Sequence, residues 1–147
     1  MTNMFLIDTN ILVYAFNAGS PFHVSSYKVV HNASKNPNTA VVSEKNLFEF
    51  YAIVTDAKRV EHPANPEDAL NFINYIADSS IQILFSNQLS FKRTIELILK
   101  YSITRQEVFD IYLVGIMLAH NVKTIVTAND THFRSISEIT VVNPLVS

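Results

Sequence analysis

The sequence has no cysteine, and that absence removes disulfide staples, zinc ribbons and thiol catalysis together. It also fits a reducing compartment, so a cytoplasmic protein is the expectation. Glycine is almost as scarce, with 2 residues, which leaves no material for a Gly-rich phosphate loop or a dinucleotide fingerprint. No apolar run approaches the roughly 18 residues of a membrane span, and no signal-peptide pattern opens the chain, so no membrane role is expected. A strong charge of one sign is missing too. With 11 Lys+Arg against 13 Asp+Glu the net charge is -2, which speaks against a protein built mainly to coat nucleic acid. It leaves room for a nucleic-acid enzyme that gathers acids at one site, neutralises them with metal and holds substrate on a local basic rim. Lys58-Arg59, Lys92-Arg93, Arg105 and Arg134 are the candidates for such a rim, although solvated surface charge is the ordinary role of each.

What is present describes one compact domain over residues 1–147, long enough to bury a real core. Short apolar runs rich in Val, Ile, Thr and Phe occur at Met4–Ile7, Thr39–Ser43, Ile81–Phe85, Thr124–Thr127 and Ile139–Val142. Runs of that kind read as buried parallel strands. Helical spacing fills the intervals: Asn10–Asn17, His23–Ala33, a helix capped by Ser43 and running to about Ala57, Pro66–Ala77, Leu89–Tyr101 and Thr104–His120. Thr104-Arg105-Gln106-Glu107 has the spacing of a capping box, which predicts that the last helix starts at Thr104. Its core face reads Val108, Ile111, Tyr112, Gly115, Ile116 and Ala119. Strands alternating with helices predict an α/β three-layer sandwich, with helices on both faces of a mostly parallel sheet of about five strands.

Four acidic positions carry the chemistry. Asp8 closes the first strand, where open α/β sheets place their ligands, and it can equally cap the helix that follows. Asp110 lies inside a helix between Phe109 and Ile111, with Val114 and Met117 on its own face. A carboxylate in such company is costly to ionise unless a cation or hydrogen-bond donors compensate it. Glu49 sits among Leu47, Phe48, Phe50 and Tyr51, whereas Glu44 is explained as a first-turn acid. Asn129-Asp130 follows the fourth strand, again at a strand end. If the first and fourth strands are neighbours, Asp8 and Asn129-Asp130 approach each other, and Asp110 comes in from the same edge. Carboxylates that close require a counter-charge, and oxygen donors without cysteine favour Mg²⁺ or Mn²⁺. Such an ion lowers the pKa of bound water and stabilises charge in a phosphoryl displacement, which points to a metal-dependent phosphodiester hydrolase.

The motifs then take on a family likeness. Phe5-Leu6-Ile7-Asp8-Thr9-Asn10-Ile11-Leu12-Val13-Tyr14 resembles the opening of PIN-domain ribonucleases. Ser43-Glu44-Lys45-Asn46-Leu47-Phe48-Glu49-Phe50-Tyr51 resembles their second motif, and Asp110 through His120 the third. Thr127-Ala128-Asn129-Asp130-Thr131-His132-Phe133 and Val142-Asn143-Pro144 resemble the close of the domain, so the likeness spans essentially the whole chain, in order. The length is similar to that of VapC-like toxins of toxin–antitoxin pairs.

This resemblance implies an endoribonuclease that uses Mg²⁺ or Mn²⁺ to hydrolyse RNA, with Asp8 and Asp110 as central metal ligands and Glu49 completing the set or orienting water. Asn129 or Asp130 is the possible fourth ligand. The family often carries Asp at the position of Asn129 or of His132, so this chain departs from the pattern there. Thr9, Asn10 and Thr127 are expected to orient the carboxylates. The resemblance further implies a small antitoxin whose tail covers the acidic cleft, and a homodimer. A catalytically weakened PIN-fold protein that binds RNA or protein is the alternative. A haloacid-dehalogenase-like phosphatase is set aside, because it wants an Asp two residues after Asp8, where Asn10 stands.

Overall fold

The computed structural model describes residues 3–146. Five strands form one sheet: β1 (Phe5–Ile7), β2 (Ala40–Ser43), β3 (Gln82–Leu84), β4 (Thr124–Val126) and β5 (Thr140–Val142). Their order is β3-β2-β1-β4-β5, and every pairing is parallel rather than merely most of them. Six helices connect them: α1 (Thr9–Phe16), α2 (His23–Lys35), α3 (Glu44–Val54), α4 (Pro66–Ala77), α5 (Gln88–Tyr101) and α6 (Glu107–Ala119). A single 3-10 turn, Asp130–His132, follows β4.

Alternation along the central strands assigns the layers. Ile7 and Val42 point into a core shared with α1 to α4, built on Ile11, Leu12, Phe50 and Ile76. Leu6, Val41 and Ile125 point the other way, into a core formed with α5 and α6 through Leu97, Val114 and Met117. The result is the expected three-layer sandwich. The chain runs β1, β2, β3 toward one edge and then crosses to place β4 and β5 on the other. That reversal falls between β1 and β4, so a crevice opens outside the carboxyl ends of those two strands.

Most element boundaries agree with the sequence patterns to within a few residues. Ser43 caps α3 through its Oγ, which accepts from Asn46 N at 3.0 Å, but the helix ends at Val54 rather than near Ala57. The start of α6 is a clearer correction. Gln106 is its N-cap and makes no side-chain cap hydrogen bond, so the capping box of Thr104 and Glu107 does not form. Arg105 has a φ of 58°, a left-handed conformation that takes the backbone out of helical register just where the box required it. Burial on α6 is also wider than one stripe. Leu113, Val114 and Met117 are buried alongside Ile111, Gly115 and Ile116, because α6 packs on the sheet and on α5 together. Gly115 allows the second contact: a Cβ there would run into Thr94 Oγ1 and stand 3.0 Å from the Ser90 carbonyl oxygen.

Candidate active site

At the switch point the ends of β1 and β4 are tied directly. Asp8 N donates to the Val126 carbonyl at 3.0 Å, so Asp8 and Thr127 lie side by side at the mouth of the crevice. Asp8 is buried, with only 9% of its surface exposed. Such a carboxylate needs partners, and it has them. Oδ1 accepts from Thr9 N at 2.8 Å and from Asn46 Nδ2 at 3.4 Å. Oδ2 accepts from Thr127 Oγ1 at 2.8 Å and, more weakly, from Asn10 Nδ2 at 3.5 Å. Asp8 therefore does cap α1, and its second oxygen remains directed across the strand ends.

The supporting groups are locked in turn. Asn10 Oδ1 accepts from Ala128 N at 3.0 Å, and Thr127 Oγ1 accepts from Asn129 N at 3.0 Å. Thr9 Oγ1 accepts from Asn46 Nδ2 at 2.9 Å and donates to Glu49 Oε1 at 2.9 Å. Thr9, Asn10 and Thr127 thus occupy the places that orienting groups would need. Asn46 was not singled out by the sequence reading, yet it is fully buried and joins Ser43, Asp8 and Thr9. Its local pattern signals a capping role alone, three residues after Ser43, although it also shares a helix face with Glu49 three residues on.

The opposite wall comes from α6 and the 3-10 turn. Asp110 stands in the first turn of α6, its side chain 38% exposed, with His132 Nδ1 3.3 Å from Oδ2. Glu49 reaches in from α3, and Lys45 Nζ, one helical turn earlier, donates to Glu49 Oε2 at 2.7 Å. Together Asp8, Glu49, Asp110 and Asn129 line one cleft of about 840 Å³, with Thr9, Asn10, Lys45, Arg59 and His132 on its walls. Asp130 turns away. Its Oδ2 accepts from Arg134 Nη2 at 2.6 Å and its Oδ1 from Asn143 Nδ2 at 3.3 Å, which holds its carboxyl below the usual range. Of the candidate rim residues, Arg59 faces the cleft, Arg134 is engaged by Asp130, and Arg93 by Glu96.

Electrostatics mark the same place. Burial pushes the Asp8 carboxyl above the ordinary carboxylate range, and the nearby charges of Glu49 and Asp110 push it further. The Thr127 and Thr9 hydrogen bonds oppose that rise without cancelling it. Asp110 is raised as well, chiefly by burial, against the opposing influence of His132 and Lys45. Two acids held up by their surroundings at one cleft call for added positive charge. The donors available are carboxylate and amide oxygens, which suit a hard divalent ion such as Mg²⁺ or Mn²⁺. Among the described residues, no three Asp, Glu or His side chains converge closely enough to hold one ion as they stand, so the site fits such an ion by donor chemistry and would have to close around it.

Comparison with known proteins gives this arrangement its context. No curated protein matches the sequence. Among solved structures, the chain is similar to VapBC2 from Rickettsia felis, bound there to a DNA fragment from its promoter. The TM-score is 0.66 at 22% identity, over 94% of this chain and 96% of that one. VapBC-1 from nontypeable Haemophilus influenzae gives 0.65 at 17% identity, covering 97% and 99%. VapC20 from Mycobacterium tuberculosis, a toxin that cleaves the sarcin-ricin loop, gives 0.61 at 12%, covering 82% and 86%. The likeness to these structures is one of fold. The sequence carries the same assignment independently, since residues 5–139 match the model of the PIN domain, and the chain belongs to that family.

Proposed function

We propose that this PIN domain is a Mg²⁺- or Mn²⁺-dependent endoribonuclease and the toxin of a toxin–antitoxin pair. One observation carries the reading: a buried, fully hydrogen-bonded Asp8 at the switch point faces Glu49 and Asp110 across a single cleft. In it, Asp8 and Asp110 would hold the ion, Glu49 would complete the set or orient water, and Asn129 would offer an amide oxygen. Asp130 is the weaker candidate for a fourth ligand, being engaged by Arg134. The ion would supply positive charge and a more acidic water at the scissile phosphodiester. Thr9, Thr127 and Asn10 keep the Asp8 carboxylate aimed, and Asn46 keeps Thr9 aimed at Glu49.

RNA is supported as substrate by the family and by a structural relative, VapC20, that cleaves the sarcin-ricin loop. An antitoxin partner is supported by relatives solved as VapBC complexes and by a cleft whose acids would attract a basic side chain. A homodimer is supported by the apolar surface between α3, α5 and α6. There Phe48, Phe91, Ile95 and Phe109 are exposed around a cavity of about 790 Å³, a contiguous apolar face of the kind that protein partners cover. Sedimentation of wild type against Phe91→Asp tests the dimer; an unchanged mass would remove it.

The direct test is cleavage of an RNA oligonucleotide in Mn²⁺ and in chelator, with Asp8→Asn and Asp110→Asn alongside. Cleavage that survives chelation, or that stays within about tenfold of wild type in either variant, would refute the assignment. A PIN-fold binding module remains the second reading, favoured by Asn129 standing where the family resemblance leads one to expect an acid and by the open arrangement of the acids. A Mn²⁺ titration without heat, together with no cleavage, would select it.

A further inference from the structure

Among the described residues, Lys45 is the lysine hydrogen-bonded to one of the acids that line the cleft. It precedes Glu49 by four residues on α3, so the helix places both side chains on the same face. Its Nζ lies 2.7 Å from Glu49 Oε2, its side chain is only 19% exposed, and its charge also acts on Asp110. It lines the cleft beside Asp8, Glu49 and Asp110. The two Glu49 oxygens are thus committed in opposite directions, Oε1 to the Thr9 hydroxyl and Oε2 to the Lys45 ammonium. With Glu49 so held, the acids do not converge on one point.

We infer that Lys45 is a positioning residue, a displaceable counter-cation that holds Glu49 back from the metal site until a divalent ion takes it over. The inference rests on the proposed metal at Asp8, Glu49 and Asp110. It follows from charge and geometry together. Acids gathered without metal are eased by positive charge nearby, and an ammonium one helical turn from Glu49 supplies it. An arriving divalent ion offers Glu49 a stronger partner, but it must break the Lys45 contact and accept a cation as neighbour. Lys45 therefore raises the ion concentration at which the site closes. A lysine whose role were only to pack its aliphatic stem would have no such effect, and Met would replace it.

Calorimetric titration of the full chain with Mn²⁺, in the absence of RNA, tests this on wild type, Lys45→Met and Lys45→Arg. Thermal melting checks that each variant is folded, with Lys45→Gln as the replacement should Met disturb α3. The expected result is a Mn²⁺ Kd lower by about fivefold in Lys45→Met, the scale of a partly exposed charge pair, and near the wild-type value in Lys45→Arg. Mn²⁺ binding that is unchanged or weaker in Lys45→Met would overturn the inference while leaving the metal site intact. If wild type itself takes up no Mn²⁺, the proposed function fails first and this inference with it.

Discussion

The two walls of the cleft are built to different standards. The wall made by the ends of β1 and β4, braced by the start of α3, holds Asp8 nearly sealed from solvent, with Thr9, Asn46, Thr127 and Asn10 all directing donors at its carboxylate. The wall made by α6 and the 3-10 turn presents Asp110 at 38% exposure, with the His132 imidazole 3.3 Å away. The first wall is set before any ligand arrives, because each polar group in it depends on two others. The second rests on a helix start without a side-chain cap and on a three-residue turn. Preorganisation therefore belongs to Asp8, and adjustment on binding belongs to Asp110 and to Glu49, which Lys45 holds aside.

The largest effects should come from the rigid wall. Asp8→Asn removes a charge while keeping shape, so cleavage in Mn²⁺ should fall on the order of a thousandfold with the fold retained. Multiple-turnover assays paired with circular dichroism check this, and a residual rate within tenfold of wild type would show that the wall is scaffolding rather than chemistry. Asn46→Ala comes next. It removes the acceptor of the Ser43 hydroxyl proton and the amide that donates to Thr9 Oγ1 and Asp8 Oδ1, and should cost about 2 kcal/mol in denaturant unfolding. Cleavage should fall roughly tenfold, since Asn46 acts on Asp8 and Glu49 only through position. Loss of stability with a normal rate would uncouple the network from the site.

Acidification probes both walls together. Burial holds the carboxyls of Asp8 and Asp110 above the ordinary range, and only their ionised forms offer charge to a cation. Below the raised values the groups carry a proton and no charge; above them the carboxylates are available. Mn²⁺ affinity should accordingly begin to fall, on lowering pH, while exposed carboxylates are still ionised. A calorimetric series across pH checks this, and a fall confined to the ordinary carboxylate range near pH 4 would contradict the electrostatic picture.

The same contrast explains what could be read from the residues alone. The sandwich was legible because β1, β2 and β4 are short apolar runs that pack against helices on both faces, and the intervening segments have helical spacing. Asp8 was legible because a carboxylate ending such a run has few roles. Asn46 was not, since a polar residue at the third position of a helix reads as capping, which it also performs. The tie between Thr9 and Asn46 spans 37 residues and exists only once β1 and β2 are paired. The start of α6 misled for a related reason: the spacing Thr104 to Glu107 satisfies a capping box, but the positive φ of Arg105 is a tertiary outcome that no local pattern announces. Asp130 was read as a reserve acid, whereas Arg134, four residues on, already accounts for its charge.

The smallest effect is expected at His132, and it sharpens the comparison most. Its contact with Asp110 joins two side chains that are both more than one-third exposed, so water and salt screen most of the attraction. His132→Ala should change unfolding free energy by less than about 0.5 kcal/mol. It should still leave a trace in metal binding. The imidazole in its protonated form works against the rise of the Asp110 carboxyl, so without it that carboxyl rises further. The acid edge of Mn²⁺ affinity should then move to slightly higher pH in His132→Ala, with affinity at neutral pH little altered. If His132→Ala instead matched Asn46→Ala in stability and rate, the α6 wall would be as tightly organised as the strand wall, and the distinction between a fixed and an adjustable side of the cleft would be lost.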